Sequence, residues 1–310
     1  MVARQLRIAL LIEVAVYGLL GLWLARQGQS VAEAAWLALG LFLGIRAVVV
    51  AVTYGFMLAD SSPVPVSLRI GALAFLRMML VEYAGLILLF VIIQPFERWW
   101  LRPDCLWRSP DRLPILLIHG YQCNRGAWFR LRPRLEAAGW VVATLSLEPS
   151  LADIDSYAEG VARRIDEVLT ATGAAQVILV CHSMGGLVAR TYLRRFGSAR
   201  VGRLITLASP HHGSRLAALA WGRNGRQMRI GNPWLADLGR APLPPGTVSF
   251  YSVHDNQVMP QHTCSELAGA RNVPLPGISH LGMLLAEPVA AALLAELDAP
   301  VRSEFPASSG

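Results

Sequence analysis

The chain passes from a strand-like to a helix-like pattern at Val180-Cys181-His182-Ser183-Met184-Gly185-Gly186. Residues 175–183 (AQVILVCHS) form an apolar run typical of a buried strand, and residues 184–197 have the apolar spacing of a helix. A serine on a sharp strand-to-helix turn presents its hydroxyl above the edge of a sheet. Small flanking residues let the backbone adopt that strained turn. Ser183 is therefore the first candidate for a reactive side chain.

Other short apolar runs with the same character surround this turn and alternate with polar stretches, of which 153–172 also has helical spacing. Apolar strands without polar alternation are buried on both faces, as in a parallel sheet covered by helices. The alternation predicts an α/β fold with a mostly parallel central sheet over residues 113–300. The six predicted strands are PILLIHG (114–120), WVVATLSL (140–147), AQVILVCHS (175–183), VGRLITLAS (201–209), TVSFYSVHD (247–255) and RNVPLPG (271–277).

The first third of the chain contains three longer apolar runs, at residues 8–24, 34–58 and 71–93. A bilayer core requires about 20 apolar residues, so these runs predict an all-α bundle of three transmembrane helices within residues 1–97. Two alternatives are a helical bundle in water and, for the first run alone, a cleaved signal peptide. Tryptophan and arginine residues in 98–112 are typical of a linker at the membrane interface.

Four charged residues interrupt the apolar runs, and each needs a partner inside a membrane. Arg46 and Glu82 lie at the midpoints of the second and third runs. Glu13 and Arg77 lie at similar depths in the first and third runs. Depth therefore predicts Arg46–Glu82 and Glu13–Arg77 pairs.

Composition excludes several classes of protein. The chain has 310 residues, of which 54% are hydrophobic and 16% charged, so it is not disordered. The net charge of +7 comes from arginines spread along the whole chain without a nucleic-acid-binding motif, so we expect no nucleic-acid partner. The spacing of the four cysteines fits neither a zinc site nor a CxxC redox pair, and it leaves their disulfide state open.

The turn at Ser183 resembles the G-x-S-x-G nucleophile elbow of the α/β-hydrolase fold, with Cys181 in place of the first glycine. His119-Gly120 after the first strand is similar to the His-Gly turn of bacterial lipases. This resemblance to the lipase and esterase branch implies a serine hydrolase with Ser183 as nucleophile. It also implies an oxyanion hole formed by the N–H groups of Tyr121 and Met184.

The same resemblance implies the order Ser, acid, His for the catalytic residues. His280 lies in a segment (ISHLG) similar to that of lipases, between the last strand and the final helix. Asp255 ends a strand and precedes NQVMP, which resembles the acid turn of the family; Asp237 is the alternative acid. Residues 211–246 are predicted to form a cap over the substrate pocket, in which His211 braces a loop.

The sequence thus predicts a membrane-tethered serine hydrolase that cleaves carboxylic esters, in particular lipid acyl esters, without a metal or cofactor. The alternatives are a deacylase or thioesterase acting on lipidated proteins or glycolipids, and a non-catalytic hydrolase-fold binding module. We expect a multi-pass protein of a bacterial inner membrane. Two arginines before the first run and one after it place the start of the chain inside, so three crossings make the hydrolase extracytoplasmic. The arginines after the third run oppose this orientation. Residues 301–310 are expected to form a flexible tail.

Overall fold

The computed structural model describes residues 1–109 and 111–300, and the predicted tail at 301–310 lies outside the described residues. Three long helices are present at the predicted places: α1 (Val2–Arg26), α2 (Val31–Ala59) and α3 (Ala72–Ile87). Helix α3 continues through a π-helical turn (Leu88–Ile93) and a 3₁₀ turn (Gln94–Phe96) into α4 (Glu97–Trp100). All three segments, with α3 counted through Trp100, are long and apolar enough to cross a membrane.

Helices α1 and α2 form a hairpin that exposes most of its apolar surface. Helix α1 buries only Val2, and α2 buries residues only in its second half. Near the start of α1, Gln5 Oε1 accepts a hydrogen bond from Ser150 Oγ at 2.8 Å. Arg7 donates to the carbonyl of Pro95 at 2.8 Å. The hairpin is therefore held at the start of α1 and the end of α2, and its turn projects away from the α/β domain.

Helix α3 lies along the α/β domain, which the sequence did not predict. Its buried residues are Met78, Glu82 and Gly85, and Leu89 in the following turn belongs to the main core of the α/β domain. A Cβ atom on Gly85 would lie 2.9 Å from Cδ1 of Leu285, so the helix approaches the domain closely. The opposite face of α3, including Leu73 and Leu80, is exposed.

The predicted Arg46–Glu82 and Glu13–Arg77 pairs are wrong. Arg46 forms a two-bond ion pair with Glu13 across the hairpin, and its guanidinium also lies over the Phe42 ring. Glu82 faces the α/β domain, and Arg77 is exposed. Depth along a helix does not determine which face a side chain occupies, and α3 turns its Glu82 face toward the α/β domain.

The α/β domain is built on a six-stranded sheet with the order β2-β1-β3-β4-β5-β6, and every pair of neighbouring strands is parallel. The predicted strands are therefore confirmed, and the sheet is wholly parallel within the described residues. The strands are β1 (Ile115–Ile118), β2 (Val142–Leu145), β3 (Val177–His182), β4 (Val201–Leu207), β5 (Val248–Ser252) and β6 (Arg271–Leu275).

Helices cover both faces of this sheet. Alternate residues of β1 enter two different cores: Leu117 packs into one and Leu116 into the other. Both faces of each central strand are thus apolar, which explains the absence of polar alternation in the sequence. The helices are α5 (Leu131–Ala137), α6 (Ala158–Thr172), α7 (Met184–Phe196), α8 (Gly222–Gln227), α9 (Pro233–Leu238), α10 (Gln261–Ser265), α11 (Gly282–Leu285) and α12 (Glu287–Asp298).

Candidate active site

Ser183 occupies the turn between β3 and α7 with φ 53° and ψ −128°, a backbone conformation that non-glycine residues rarely adopt. Glycine is needed just after it, because a Cβ atom on Gly185 would lie 2.3 Å from the carbonyl oxygen of Ile118. Cys181, which replaces the first glycine of the motif, is fully buried in one of the two cores. Burial raises the pKa of its thiol.

Asp255 and His280 meet at the carboxyl end of the sheet. Asp255 follows β5, and His280 lies in the loop between β6 and α11. The His280 Nδ1 atom is 3.0 Å from Asp255 Oδ2 and 3.1 Å from Oδ1. Asp255 Oδ1 also accepts hydrogen bonds from the backbone N–H of Gln257 at 2.7 Å and of Val258 at 2.8 Å. Both members of the pair are buried.

The electrostatics of the pair suit a general base. Burial alone lowers the pKa of His280, but the negative charge of Asp255 and its hydrogen bond to the ring outweigh burial. The charge of Glu82 acts in the same direction, so the pKa of His280 is raised above its ordinary value. The alternative acid, Asp237, lies on α9 with an exposed carboxylate paired to Arg194, away from this pair.

One cavity of about 400 Å³ brings Ser183 and His280 together, since both residues line it. Their side chains are not joined by a hydrogen bond in the described part of the chain. In free enzymes the bond between nucleophile and base is often long and tightens only when substrate binds.

Two backbone N–H groups lie next to Ser183. Met184 opens α7, so its N–H has no carbonyl partner within the helix. Tyr121 lines the same cavity as Ser183. The chain before Tyr121 approaches the nucleophile closely, because a Cβ atom on Gly120 would lie 2.8 Å from Ser183 Cβ. The backbone at Met184 and the chain around Tyr121 thus adjoin the candidate nucleophile.

Three of the four other buried histidines have contacts that fix their rings close to the site. His119 bridges the Gly120 carbonyl, at 2.9 Å, and the N–H of Leu147, at 3.0 Å. His211 contacts the Thr206 hydroxyl, and His182 Nε2 lies 3.2 Å from the carbonyl oxygen of His280. Burial lowers the pKa of all three, to about 4 for His119, which keeps the rings neutral. His182 also packs on the His280 ring, with centroids 4.8 Å apart.

Sequence reasoning did not place Glu82 at this site. Its carboxylate accepts hydrogen bonds from the N–H of Leu281 at 2.8 Å, from Gln257 Nε2 at 2.9 Å and from Asn256 Nδ2 at 3.2 Å. Asn256 Oδ1 in turn accepts from the N–H of His280 at 3.0 Å. A charged residue in the middle of an apolar helix is itself a sign of a functional site, and this signal was present in the sequence.

The cavity has walls from two further parts of the chain. Residues of the predicted cap, among them Leu216, Leu219 and Met228, form one wall. The other wall is formed by α2, through Val48, Val49, Val52 and Thr53.

Comparisons with known proteins agree with this fold. A family model described as alpha/beta hydrolase fold matches residues 114–245. A triacylglycerol lipase of Pseudarthrobacter phenanthrenivorans is 31% identical over 117 residues, which are 35% of this chain and 36% of that lipase. The chain thus spans about a third of the length of that relative.

Solved structures extend the likeness in fold. The mature lipase of Bacillus licheniformis aligns with a TM-score of 0.55 at 18% identity, over 64% of this chain and 96% of that one. Lipase B of Aspergillus fumigatus aligns with a TM-score of 0.57 at 21% identity, over 69% and 59% of the two chains. The α/β domain therefore has the α/β-hydrolase fold and resembles lipases and esterases, as the sequence predicted.

Proposed function

We propose that the protein is a serine hydrolase that cleaves carboxylic esters of lipids through an acyl-Ser183 intermediate. The observation that carries this proposal is the buried Asp255–His280 pair, which faces the same cavity as a serine in a strained strand-to-helix turn. Lipases among the relatives support the ester substrate.

The proposed reaction has two halves. His280 Nε2 takes the proton of Ser183 as Oγ attacks the ester carbonyl, and Asp255 stabilises the imidazolium through Nδ1–H. The N–H groups of Tyr121 and Met184 donate to the oxyanion. The alcohol leaves with the proton from His280. Water, deprotonated by His280, then attacks the acyl-serine. The bond between the acyl carbon and Ser183 Oγ breaks, His280 returns the proton to Oγ, and the carboxylic acid is released.

A fluorophosphonate probe tests this function on the full-length protein in membranes. We expect the probe to label the wild type and Ser156→Ala, in which an exposed serine is removed, but not Ser183→Ala. Parallel assays on esters and thioesters identify the preferred bond. A wild-type protein that is neither labelled nor active on any ester would instead be a non-catalytic binding module.

We also propose that the α1–α2 hairpin inserts into the membrane and that residues 98–112 link it to a hydrolase domain at 113–300, with its cap at about 211–246. The apolar residues exposed on the hairpin support insertion. The segment from Val31 to Ala47, ahead of the residues that line the cavity, is roughly 24 Å long at 1.5 Å per residue. That length is close to the hydrocarbon thickness of about 30 Å.

A membrane-inserted hairpin implies a different membrane topology from the three crossings that the sequence predicts. Three crossings put the start of α1 and the hydrolase on opposite faces, whereas the contacts of Gln5 with Ser150 favour the same face for both. Arg4 and Arg7 then lie on the hydrolase side, and Arg26 alone lies near the far turn. Because cytoplasmic segments carry the excess of arginine, we place the hydrolase in the cytoplasm and not in the extracytoplasmic position expected from three crossings.

Cysteine labelling in intact spheroplasts distinguishes the two topologies. Native Cys105 is exposed next to the hydrolase domain, and Gln29→Cys adds a thiol at the hairpin turn. The hairpin predicts that a membrane-impermeant maleimide labels Gln29→Cys but reaches Cys105 only after lysis. Labelling of both thiols in intact spheroplasts would favour three crossings. Labelling of Cys105 alone would show a hairpin whose turn lies in the cytoplasm and whose hydrolase domain lies outside.

A further inference from the structure

We propose that helix α2 forms the wall of the acyl-binding site, and that the substrate is a bilayer-resident ester whose acyl chain lies along Val48, Val49 and Val52. This inference rests on the proposed hydrolase function. It assigns to a membrane helix a binding role that goes beyond anchoring.

The cavity itself carries the inference. The three valines and the candidate nucleophile line the same space. The valines are also 63%, 47% and 45% exposed, so the cavity reaches the outer surface of α2. That surface is continuous with the part of the hairpin that we place in the membrane. An acyl chain that enters between α2 and the cap stays in apolar surroundings from the bilayer to Ser183 and is not exposed to water.

The cap flanks this entrance with apolar residues. Leu219 lines the cavity and is 55% exposed, and Trp221 is 78% exposed two residues later. The Tyr121 hydroxyl donates to the carbonyl of Trp221 at 2.8 Å and accepts from its N–H at 2.9 Å. This pair of bonds ties the cap to the loop that follows β1. Exposed tryptophan is typical of the headgroup layer of a membrane, which fits an entrance at the bilayer surface.

A chain-length series of p-nitrophenyl esters tests this wall on the detergent-solubilised, full-length protein. Val49→Trp narrows the cavity, and Val31→Trp makes the same substitution at an exposed position at the start of α2. We expect Val49→Trp to lower kcat/KM for the palmitoyl ester by about tenfold or more. Activity on the acetyl ester is expected to fall less, so the ratio of palmitoyl to acetyl kcat/KM drops, because a two-carbon acyl group is too short to lie along all three valines.

The outcomes separate this inference from the proposed function. Absence of ester hydrolysis by the wild type would contradict the function itself. An active wild type whose Val49→Trp variant keeps its palmitoyl activity, or loses acetyl and palmitoyl activity equally while still labelled by fluorophosphonate, would overturn the role of α2. Val31→Trp is expected to match the wild type on every ester.

A different set of contacts carries a second inference. We infer that Glu82 is a positioning residue for His280. Glu82 is 2% exposed, and its hydrogen-bond donors are the Leu281 N–H and the side chains of Gln257 and Asn256. Leu281 adjoins the candidate base, and Asn256 holds the backbone N–H of His280. The Glu82 carboxylate on α3 thus holds the backbone of the His280 loop at two points, directly at the Leu281 N–H and through Asn256 at the His280 N–H.

Substitution of Glu82 by glutamine removes the charge and places an amide N–H₂ against donors. We expect kcat to fall by about tenfold or more, because the base is misplaced, while KM changes little. The charged and titratable groups around the His280 ring are Asp255, His182 and Glu82. Loss of the Glu82 charge is therefore expected to shift the acid limb of the pH–rate profile to lower pH.

Glu33→Gln, at the exposed start of α2, is the matched control and is expected to leave kcat and the pH profile unchanged. A Glu82→Gln variant with normal kcat would overturn the positioning role. So would a lowered kcat with an unmoved acid limb and a matching loss of folded protein, measured from the amplitude of thermal unfolding, because that result reports only a loss of folded enzyme.

Discussion

Asp255→Asn is the substitution for which the structure specifies the most detailed outcome. Oδ1 of Asp255 accepts from two backbone N–H groups, at 2.7 and 2.8 Å, whereas the His280 ring is the only partner of Oδ2 among the residues that the structure describes. In asparagine, the amide oxygen takes the Oδ1 position, since only an acceptor satisfies those two donors. The amide N–H₂ then faces His280 Nδ1.

This orientation reverses the histidine tautomer. With a donor opposite Nδ1, the ring keeps its proton on Nε2, so Nε2 is unable to take the proton of Ser183. The loss of the correct tautomer in a serine triad lowers kcat by roughly 10⁴-fold. At 1.36 kcal/mol per factor of ten, this corresponds to about 5.4 kcal/mol of transition-state stabilisation. The loop retains its backbone hydrogen bonds, so we expect little change in the free energy of unfolding.

The assay compares kcat for a short-chain ester and the thermal unfolding midpoint of Asp255→Asn with those of Asp237→Asn. The control removes an exposed carboxylate on α9 and is expected to keep wild-type turnover. A value of kcat within tenfold of the wild type for Asp255→Asn would refute the assignment of the acid. A lowered kcat accompanied by a large drop in the midpoint would refute the argument that the loop is preserved.

Three further predictions concern the hairpin, the base and the elbow. Glu13→Gln removes the carboxylate paired with Arg46 and is expected to reduce membrane accumulation. The cost is expected to be below the roughly 2.5–3.5 kcal/mol of an unpaired charge at the bilayer centre, because Arg46 lies at the end of the segment proposed to insert. The control Glu13→Gln with Arg46→Met is expected to lose less. The proposed base His280 is able to accept a proton only when neutral, and its pKa is raised, so kcat/KM is expected to fall as the pH drops through a pKa above that of free histidine. An acid limb below that value would contradict this. Gly185→Ala places Cβ 2.3 Å from the Ile118 carbonyl and is expected to lower the unfolding midpoint strongly, unlike the exposed Gly18→Ala, which meets nothing within 4 Å.

The α/β domain was predictable because its signals are local. Strands β1 to β5 are short, mostly apolar runs with buried residues on both faces, whereas every residue of the edge strand β6 is only partly buried. The order of the strands along the chain favours a parallel topology with right-handed crossovers. Asp153 accepts the N–H of Asp155 at the start of the predicted 153–172 helix, and Gly173 ends that helix in the left-handed conformation. The site residues that the sequence indicated come together for the same reason, since each follows a strand at one edge of the sheet.

The N-terminal third was harder to predict from hydropathy. Hydropathy shows that a helix is long and apolar, but it does not show how the helix is oriented or which of its faces contacts protein. The segment Ala72–Trp100, which includes α3, is long and apolar enough to cross a membrane, although one face of α3 packs on the α/β domain. An apolar residue is equally suited to lipid and to a protein core, so Leu73 and Leu89 are indistinguishable by type, although one is exposed and the other fully buried. For the same reason, the sequence predicted that Glu82 pairs with Arg46 inside a membrane and did not indicate that it faces the α/β domain.

The contacts of α2 and α3 make the candidate active site depend on both the α/β domain and the N-terminal helices. Cutting the chain in the 98–112 linker would leave the Leu281 N–H and the side chains of Gln257 and Asn256 without the Glu82 carboxylate. It would also remove one wall of the cavity that contains Ser183. Unpaired buried donors are costly, and the loop that carries His280 relaxes to satisfy them. A fragment that begins at residue 113 is therefore expected to have a complete set of candidate catalytic side chains and yet lack an organised site.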